Sequence, residues 1–175
     1  IFQQRHSIRK YTGAPIDDAA LTQIIQAGLL SASSRSIRPW EFIVVKDKDM
    51  LRHLSECRTG AARMLAGADA AIVIIANAEA SDVWIEDCSI AMANMHLMAD
   101  SLGVGSCWIQ GRLRTATTAD SGTASVTTED YVRECLDFPE GYKLEAILSL
   151  GMPAEEKTPA ELSKLPFEKI HYEKF

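Results

Sequence analysis

The sequence predicts a single domain in which helices alternate with short strands, closed by an irregular tail. Three observations carry that reading. Leu21, Ile24, Ile25 and Leu29 recur at helical spacing. Ala70-Ala71-Ile72-Val73-Ile74-Ile75-Ala76 is a continuous apolar run, which suits a central strand covered on both faces. The segment from about Asp82 to Leu102 is long enough for a helix, and its apolar residues spread around the whole circumference.

Taken in order, Asp17 reads as an N-cap with Pro15 just before it, so a helix is expected from about Asp18 to Leu30. A polar loop, Ser31 to Pro39, leads into Phe42-Ile43-Val44-Val45, a β-branched run typical of a strand. Asp49 to Cys57 reads as a short surface helix with Met50, Leu51 and Leu54 facing inward. After the strand at 70–76 comes the long helix of 82–102, whose middle carries Ile90, Met92, Met95, Leu97 and Met98 among alanines. A helix apolar all round must be buried on all sides, and a chain of 175 residues has little mass to surround one. A partner subunit is therefore expected to cover part of it.

Gly103-Val104-Gly105 ends that helix and Cys107-Trp108-Ile109 reads as a strand. Thr115 to Ser125 is a Ser/Thr/Ala-rich loop, expected to be the most mobile segment. Thr127 or Thr128 caps a short helix through Leu136, Pro139-Glu140-Gly141 turns the chain, and Leu144 to Leu150 forms another strand. Beyond it, Pro153, Pro159 and Pro166 forbid a continuous helix. Phe167, Ile170, Tyr172 and Phe175 give the tail apolar anchors, so it is expected to wrap over the other subunit.

Composition narrows the function. The chain is 47% hydrophobic and 24% charged, ordinary for a globular protein. The uncharged stretch Ser89 to Ala99 is too short to cross a bilayer, and Arg5, His6 and Arg9 open the chain in place of an apolar signal, so a cytoplasmic protein is expected. Cys57, Cys88, Cys107 and Cys135 lie far apart, without the short ligand spacings a metal needs; no metal is expected. The net charge of −6 argues against nucleic-acid binding. Residues 1–40 nevertheless carry +3 (Arg5, Arg9, Lys10, Arg35 and Arg38 against Asp17 and Asp18), leaving −9 on the rest. A basic end on an acidic chain suits a small anionic ligand such as a phosphate group.

Three segments carry candidate chemistry. In an extended Arg5-His6-Ser7-Ile8-Arg9, alternate side chains share a face, offering two guanidiniums and a hydroxyl together. Such a set suits a phosphate and a polar ring edge. In Ser33-Ser34-Arg35-Ser36-Ile37-Arg38-Pro39-Trp40, small hydroxyl residues permit close approach to a ligand. Gly103-Val104-Gly105-Ser106-Cys107-Trp108-Ile109-Gln110-Gly111 is not a dinucleotide fingerprint, because its glycines follow a helix and precede a strand. Gly111 after a strand would allow backbone approach to a planar ligand.

The order and spacing of these segments resemble the nitroreductase family of flavoproteins. Arg5 to Arg9 resembles its opening motif, and Ser33-Ser34 through Pro39-Trp40-Glu41-Phe42-Ile43-Val44-Val45 its second. Asp87 through Gly111, with Asn94, Leu97, Gly103, Gly105 and Trp108, is similar to its central helix and flavin strand. Tyr131-Val132-Arg133, Pro139 to Tyr142 and Leu150 to Lys157 resemble its C-terminal half.

The resemblance implies an α+β fold with a mixed sheet flanked by helices, in an intertwined homodimer with FMN at the interface. Residues 1–175 would form one FMN-binding domain whose tail, about 152–175, wraps the partner. It also implies roles. Arg5 and Ser7 would hold phosphate and ribityl oxygens, with His6 between them in the same motif, and Arg9 would face the pyrimidine edge. Ser33, Ser34 and Arg35 would reach the flavin bound mainly by the other subunit. Gln110 and Gly111 would lie beside the ring with backbone N–H groups near N5 and O4, and Lys164 would approach the phosphate. Ser36 stands where many members carry Asn, Arg38 where many carry Gln, and Gln110 replaces the acidic residue of some relatives. Arg58 to Ala68 lacks a polar pair that some members aim at the pyrimidine.

The activity implied is hydride transfer from NADH or NADPH through flavin N5 to a nitroaromatic or quinone, with no catalytic side chain required. Two other readings are compatible with the fold: different flavin chemistry, such as reductive dehalogenation or flavin breakdown, and a non-enzymatic flavin-binding module.

Overall fold

A computed structural model describes residues 1–116 and 126–175. Most of the Ser/Thr/Ala-rich loop therefore lies outside the described residues. Among the described residues four α-helices and four strands form: α1 (Asp18–Leu29), β1 (Trp40–Val45), α2 (Lys48–Leu54), β2 (Ala70–Asn77), α3 (Trp84–Ser101), β3 (Gly105–Gln110), α4 (Thr128–Leu136) and β4 (Tyr142–Gly151). The sheet order is β1-β2-β4-β3 and each neighbouring pair of these strands is antiparallel. Among the described residues the parallel pairing is one bridge, Ser7 to Ser106, which lays the N-terminal segment along the start of β3.

The apolar run at 70–76 becomes β2, at the centre of the sheet, with helices on both faces. Period-2 alternation divides its side chains. Ala70, Ile72, Ile74 and Ala76 pack with Leu21 and Ile24 of α1 and with Cys88, Ala91, Met92, Met95 and Ala99 of α3. Ala71, Val73 and Ile75 turn the other way, onto Leu51 and Leu54 of α2, Val132 of α4 and Phe138. Two cores thus flank one sheet.

The caps explain the helix boundaries. Asp17 accepts from the Ala19 N–H at 3.2 Å and starts α1 as expected. The next helix starts at Lys48, one residue before the expected Asp49, because Asp47 caps it by accepting from Met50 N–H at 2.8 Å. It stops at Leu54, where the Ser55 hydroxyl donates to the Arg52 carbonyl and the chain turns away. Thr127 caps α4. Gly103, at φ +72°, ends α3 with a left-handed residue that only glycine adopts without strain.

One regularity of the sheet is broken. Ile74 pairs with Ala146 while Ile75 pairs with Leu144, so Glu145 is an extra residue, a bulge. The carbonyl of Glu145 accepts from both Gly111 N–H (3.0 Å) and Arg112 N–H (2.9 Å), turning the chain out of β3.

Burial around α3 is one-sided in the single chain. Its inner face is closed, whereas Ile90 is 43% exposed and Ala93 is open to solvent. Leu29, Leu30, Ile1 and Phe2 are exposed as well. The tail is tied to the N-terminal segment through Met152, whose carbonyl accepts the Thr12 N–H, through Ala154 N–H to the Lys10 carbonyl, through the Glu155 carboxylate, and through Ala160 N–H to the Gln3 carbonyl. Two short 3-10 turns follow, Leu162–Lys164 and Phe167–Lys169. From Glu156 onward every residue is exposed, including Phe167, Ile170, Tyr172 and Phe175. Among the described residues no helix is long and apolar enough to cross a membrane.

Candidate functional site

The N-terminal motif is stitched to β3 through its backbone: Ile8 N–H donates to the Ser106 carbonyl at 2.9 Å beside the Ser7–Ser106 bridge. Arg5, His6 and Ser7 are half-buried there, while Arg9 stays exposed. The Arg5 guanidinium donates from Nη1 to His96 Nε2 of α3 at 2.9 Å, and His96 Nδ1 lies 2.5 Å from the Ser106 hydroxyl. Burial, reinforced by the Arg5 cation, pushes the His96 pKa down to about 4. His6 Nε2 is buried without a hydrogen-bond partner among the described residues. The backbone N–H groups of Arg9 and Lys10 are held by the Glu155 carboxylate at 2.7 and 3.3 Å.

The second motif forms a strained loop. Arg35, Ser36 and Arg38 sit at φ 52°, 55° and 52°, a left-handed region uncommon for non-glycine residues. Three contacts hold it. The buried Asp87 accepts the Ser34 N–H at 2.8 Å, the Ser33 hydroxyl accepts the Arg38 N–H at 3.0 Å, and Arg35 pairs with Asp82. The Arg35 cation expected to reach a ligand thus has a carboxylate partner within its own chain.

Gln110 and Gly111 sit at the far end of β3. The Gln110 amide is spent internally: Oε1 accepts from the Trp108 indole at 2.9 Å, and Nε2 donates to the Glu145 carbonyl and Oε1 at 3.3 and 3.2 Å. The Gly111 N–H, expected to face a ring, is likewise engaged, by the Glu145 carbonyl. Gly111 also has a packing reason to be glycine, since a Cβ there would stand 2.6 Å from Leu144 Cδ2. Beside it opens a cavity of about 620 Å³ lined by Trp84, Gly111, Arg112, Leu113, Thr115 and Lys143, a volume typical of small-ligand sites.

Ser7 and Gly111 therefore mark the two ends of β3: Ser7 bridges Ser106 near its start and Gly111 follows its last residue, and the strand runs about 13 Å from Ser106 to Gln110 at ~3.3 Å per residue. Lys164 is not brought to either end by any contact seen here; it lies exposed in the tail and pairs with Glu161 at 2.8 Å. The cysteines are buried (Cys57, Cys88, Cys107) or half-buried (Cys135). Burial pushes the Cys57 and Cys88 thiols up to about 12, which leaves them unreactive at neutral pH.

Three residues that sequence reasoning did not single out organise these segments. Asp87 anchors the second motif, His96 anchors the first, and Glu145 organises the end of β3. A lone charge in the apolar run Leu144 to Leu150 could have flagged Glu145. A histidine within a Met- and Ala-rich helix carried no comparable signal.

The chain is thus an α+β domain whose basic N-terminal segment lies along the edge strand β3, with Gly111 and a cavity of small-ligand size at the other end of that strand. The chain matches the Nitroreductase family over residues 2–57 and 50–152 and belongs to it. An FMN-dependent nitroreductase from Clostridium difficile R20291 is 44% identical, superposes with a TM-score of 0.92, and is covered over 98% of its length by 99% of this chain. A relative from Archaeoglobus fulgidus, whose assignment as an NADH dehydrogenase/NAD(P)H nitroreductase is itself inferred, is 36% identical over 98% of this chain and 94% of its own. The NADPH-flavin oxidoreductase of Vibrio harveyi is 26% identical over 95% of this chain and 69% of its own. The protein is an oxidoreductase of this family.

Proposed function

We propose that the chain is an FMN-dependent NAD(P)H oxidoreductase that works as a homodimer and reduces an electron-poor acceptor, a nitroaromatic or a quinone, by a ping-pong scheme. One observation carries the reading: Arg5, half-buried and without a carboxylate partner among the described residues, belongs to the segment bridged to the start of β3, and Gly111 follows the last residue of that same strand. The fit to FMN is supported there. A phosphate needs a cation and hydrogen-bond donors; Arg5 would supply the first and the Ser7 hydroxyl, two residues along the same half-buried segment, one of the second.

Bound FMN would supply hydride exchange at N5. The chain's task is to hold and orient it. Arg5 and Ser7 would take the phosphate and ribityl oxygens, and Arg9 the pyrimidine edge. Ser33, Ser34 and Arg35, preformed by Asp87 and Asp82, would approach from the neighbouring subunit. Gln110 and Gly111 would flank the ring as a close-approach surface rather than as free N–H donors, and Lys164 would add positive charge from the tail. Donor and acceptor would occupy the same space in turn, which needs no acid or base from the protein.

The dimer is favoured by the open outer face of α3 and by the exposed apolar side chains of the tail, which together call for a covering partner. In this reading residues 1–175 form one FMN-binding domain and the tail from about 152 wraps the second copy.

The visible spectrum of the purified protein, recorded before and after anaerobic NADH and NADPH, tests the proposal. Flavin bands that bleach with reductant are expected. A colourless protein that takes up no added FMN would overturn it. Steady-state rates should give parallel double-reciprocal lines, and intersecting lines would exclude the shared-site scheme.

A further inference from the structure

We infer that His96 is a positioning residue for phosphate recognition: a neutral acceptor that aims the Arg5 guanidinium without neutralising it. This rests on the FMN reading above and adds a residue to it.

The chemistry of the contact decides the protonation state. Arginine has five N–H donors and no acceptor. With Arg5 Nη1 2.9 Å from His96 Nε2, that ring nitrogen must present its lone pair. The proton then sits on Nδ1 and is donated to the Ser106 hydroxyl at 2.5 Å. The depressed His96 pKa agrees with this neutral form.

Burial argues that the imidazole is present for its lone pair. His96 is 7% exposed and Ser106 2%, between the fully buried Met95 and Ala99 on the helix and the sheet beneath. A methionine or leucine would fill that space without burying polar atoms, so the polar ring carries a cost that its contacts must offset.

The choice of partner matters for charge. Three arginines among the described residues pair with carboxylates, Arg35 with Asp82, Arg52 with Asp49 and Arg133 with Glu129 and Asp130, and six besides Arg5 (Arg9, Arg38, Arg58, Arg63, Arg112 and Arg114) do not. Arg5 is absent from those ion pairs and is held by a neutral ring instead. A carboxylate would orient the guanidinium equally well but would cancel its charge and compete with an incoming phosphate. An imidazole orients it and leaves the whole positive charge for the ligand. The Ser106 carbonyl meanwhile fixes the backbone of the same motif through Ile8 N–H. One residue of β3 thus grips the motif twice, directly and through His96.

Equilibrium titration of the apo-protein with FMN and with riboflavin, which lacks only the phosphate, tests the assignment. His96→Met is expected to weaken FMN by about tenfold, as for loss of a hydrogen bond to a charged group, and to leave riboflavin within about twofold. His96→Gln, which restores an acceptor near the position of Nε2, should recover most of the FMN affinity. In an Arg5→Ala background His96→Met should have no further effect. Ser106→Ala, a milder change that frees the ring, should give a smaller loss confined to FMN, and it serves if the methionine variant does not fold. Wild-type affinity for FMN in the folded His96→Met or Ser106→Ala protein would overturn the inference. So would equal losses for the two flavins, or a persisting effect without Arg5. A wild-type protein that binds neither flavin would instead overturn the FMN reading itself.

Discussion

The carboxylate of Asp87 accepts the backbone N–H of Ser34 at 2.8 Å, across 53 positions of sequence. Nine residues further along α3, about 14 Å at ~1.5 Å per residue, His96 holds Arg5. One helix therefore anchors both polar motifs, each at its own end. Replacing Asp87 with Ala would strand the Ser34 N–H and the Ser81 hydroxyl that also reaches it, in a loop already strained at Arg35, Ser36 and Arg38. The expected loss is about 1–3 kcal/mol, several degrees in Tm for a chain of this size. Asp87→Asn, which keeps one acceptor, should lose less. Thermal denaturation checks both, and an unchanged Tm for Asp87→Ala would contradict the anchoring role.

The carboxyl of Glu145 is pushed up from its ordinary value, chiefly by burial and against the opposing pull of its bond to Gln110. A raised carboxyl pKa means that the folded state binds the proton more tightly than the unfolded chain. Its contribution to stability is full below the unfolded value, near 4.3, and is lost as pH rises through the folded one. Glu145→Gln is a neutral isostere and escapes that loss. The variant should melt above the wild type at pH 8 and together with it at pH 4. If the two melting curves kept a constant separation across that range, the carboxyl would not be titrating in this way.

Patterns that repeat were legible in the sequence, and single contacts were not. The apolar run at 70–76 announced a strand covered on both faces, and the two cores on either side of β2 are its consequence. The helical spacing of Leu21 and Ile24 and the Asp17 cap gave α1 to within a residue. Glu145 was hidden because a bulge depends on the register of the neighbouring strand. The left-handed turn at Arg35, Ser36 and Arg38 was hidden because none is glycine; tertiary bonds to Asp87 and Asp82 hold a conformation their own preferences disfavour. Gly111 was read as a residue for ligand approach, whereas Leu144 already demands its missing Cβ. His96 needed the fold to bring Arg5 to it.

Gly111→Ala should damage both stability and flavin retention. The added Cβ would lie 2.6 and 2.8 Å from Leu144 Cδ2 and Cγ, and Leu144 is fully buried, with no open side to move toward. Overpacking of this kind costs about 1–3 kcal/mol. Any yielding of the backbone also disturbs the paired N–H contacts to the Glu145 carbonyl at the end of β3. The variant should show a lower Tm and a lower ratio of visible flavin absorbance to protein absorbance after purification. Normal flavin content with a lowered Tm would confine Gly111 to packing.

The tail offers the sharpest test of assembly. Leu162, Leu165, Phe167, Ile170 and Tyr172 are between 44% and 85% exposed in the single chain, yet Ala160 is bonded back to Gln3. An apolar ribbon held in place but packed on nothing of its own is at its lowest free energy when a second copy covers it. Burying one such side chain contributes about 1.5–3 kcal/mol, and association retains only part of the sum after the cost of ordering two chains. Ending the chain at Glu161 removes the ribbon while keeping the Ala160–Gln3 bond and both cores. The shortened protein should dissociate at micromolar concentrations where the full chain remains dimeric, as read by light scattering on a sizing column. Its flavin affinity should fall with the dimer, because Ser33, Ser34 and Arg35 would then be supplied by no neighbour. A truncated chain that stays dimeric with undiminished affinity would remove the tail from the interface and leave α3's open face as the surface on which two copies meet.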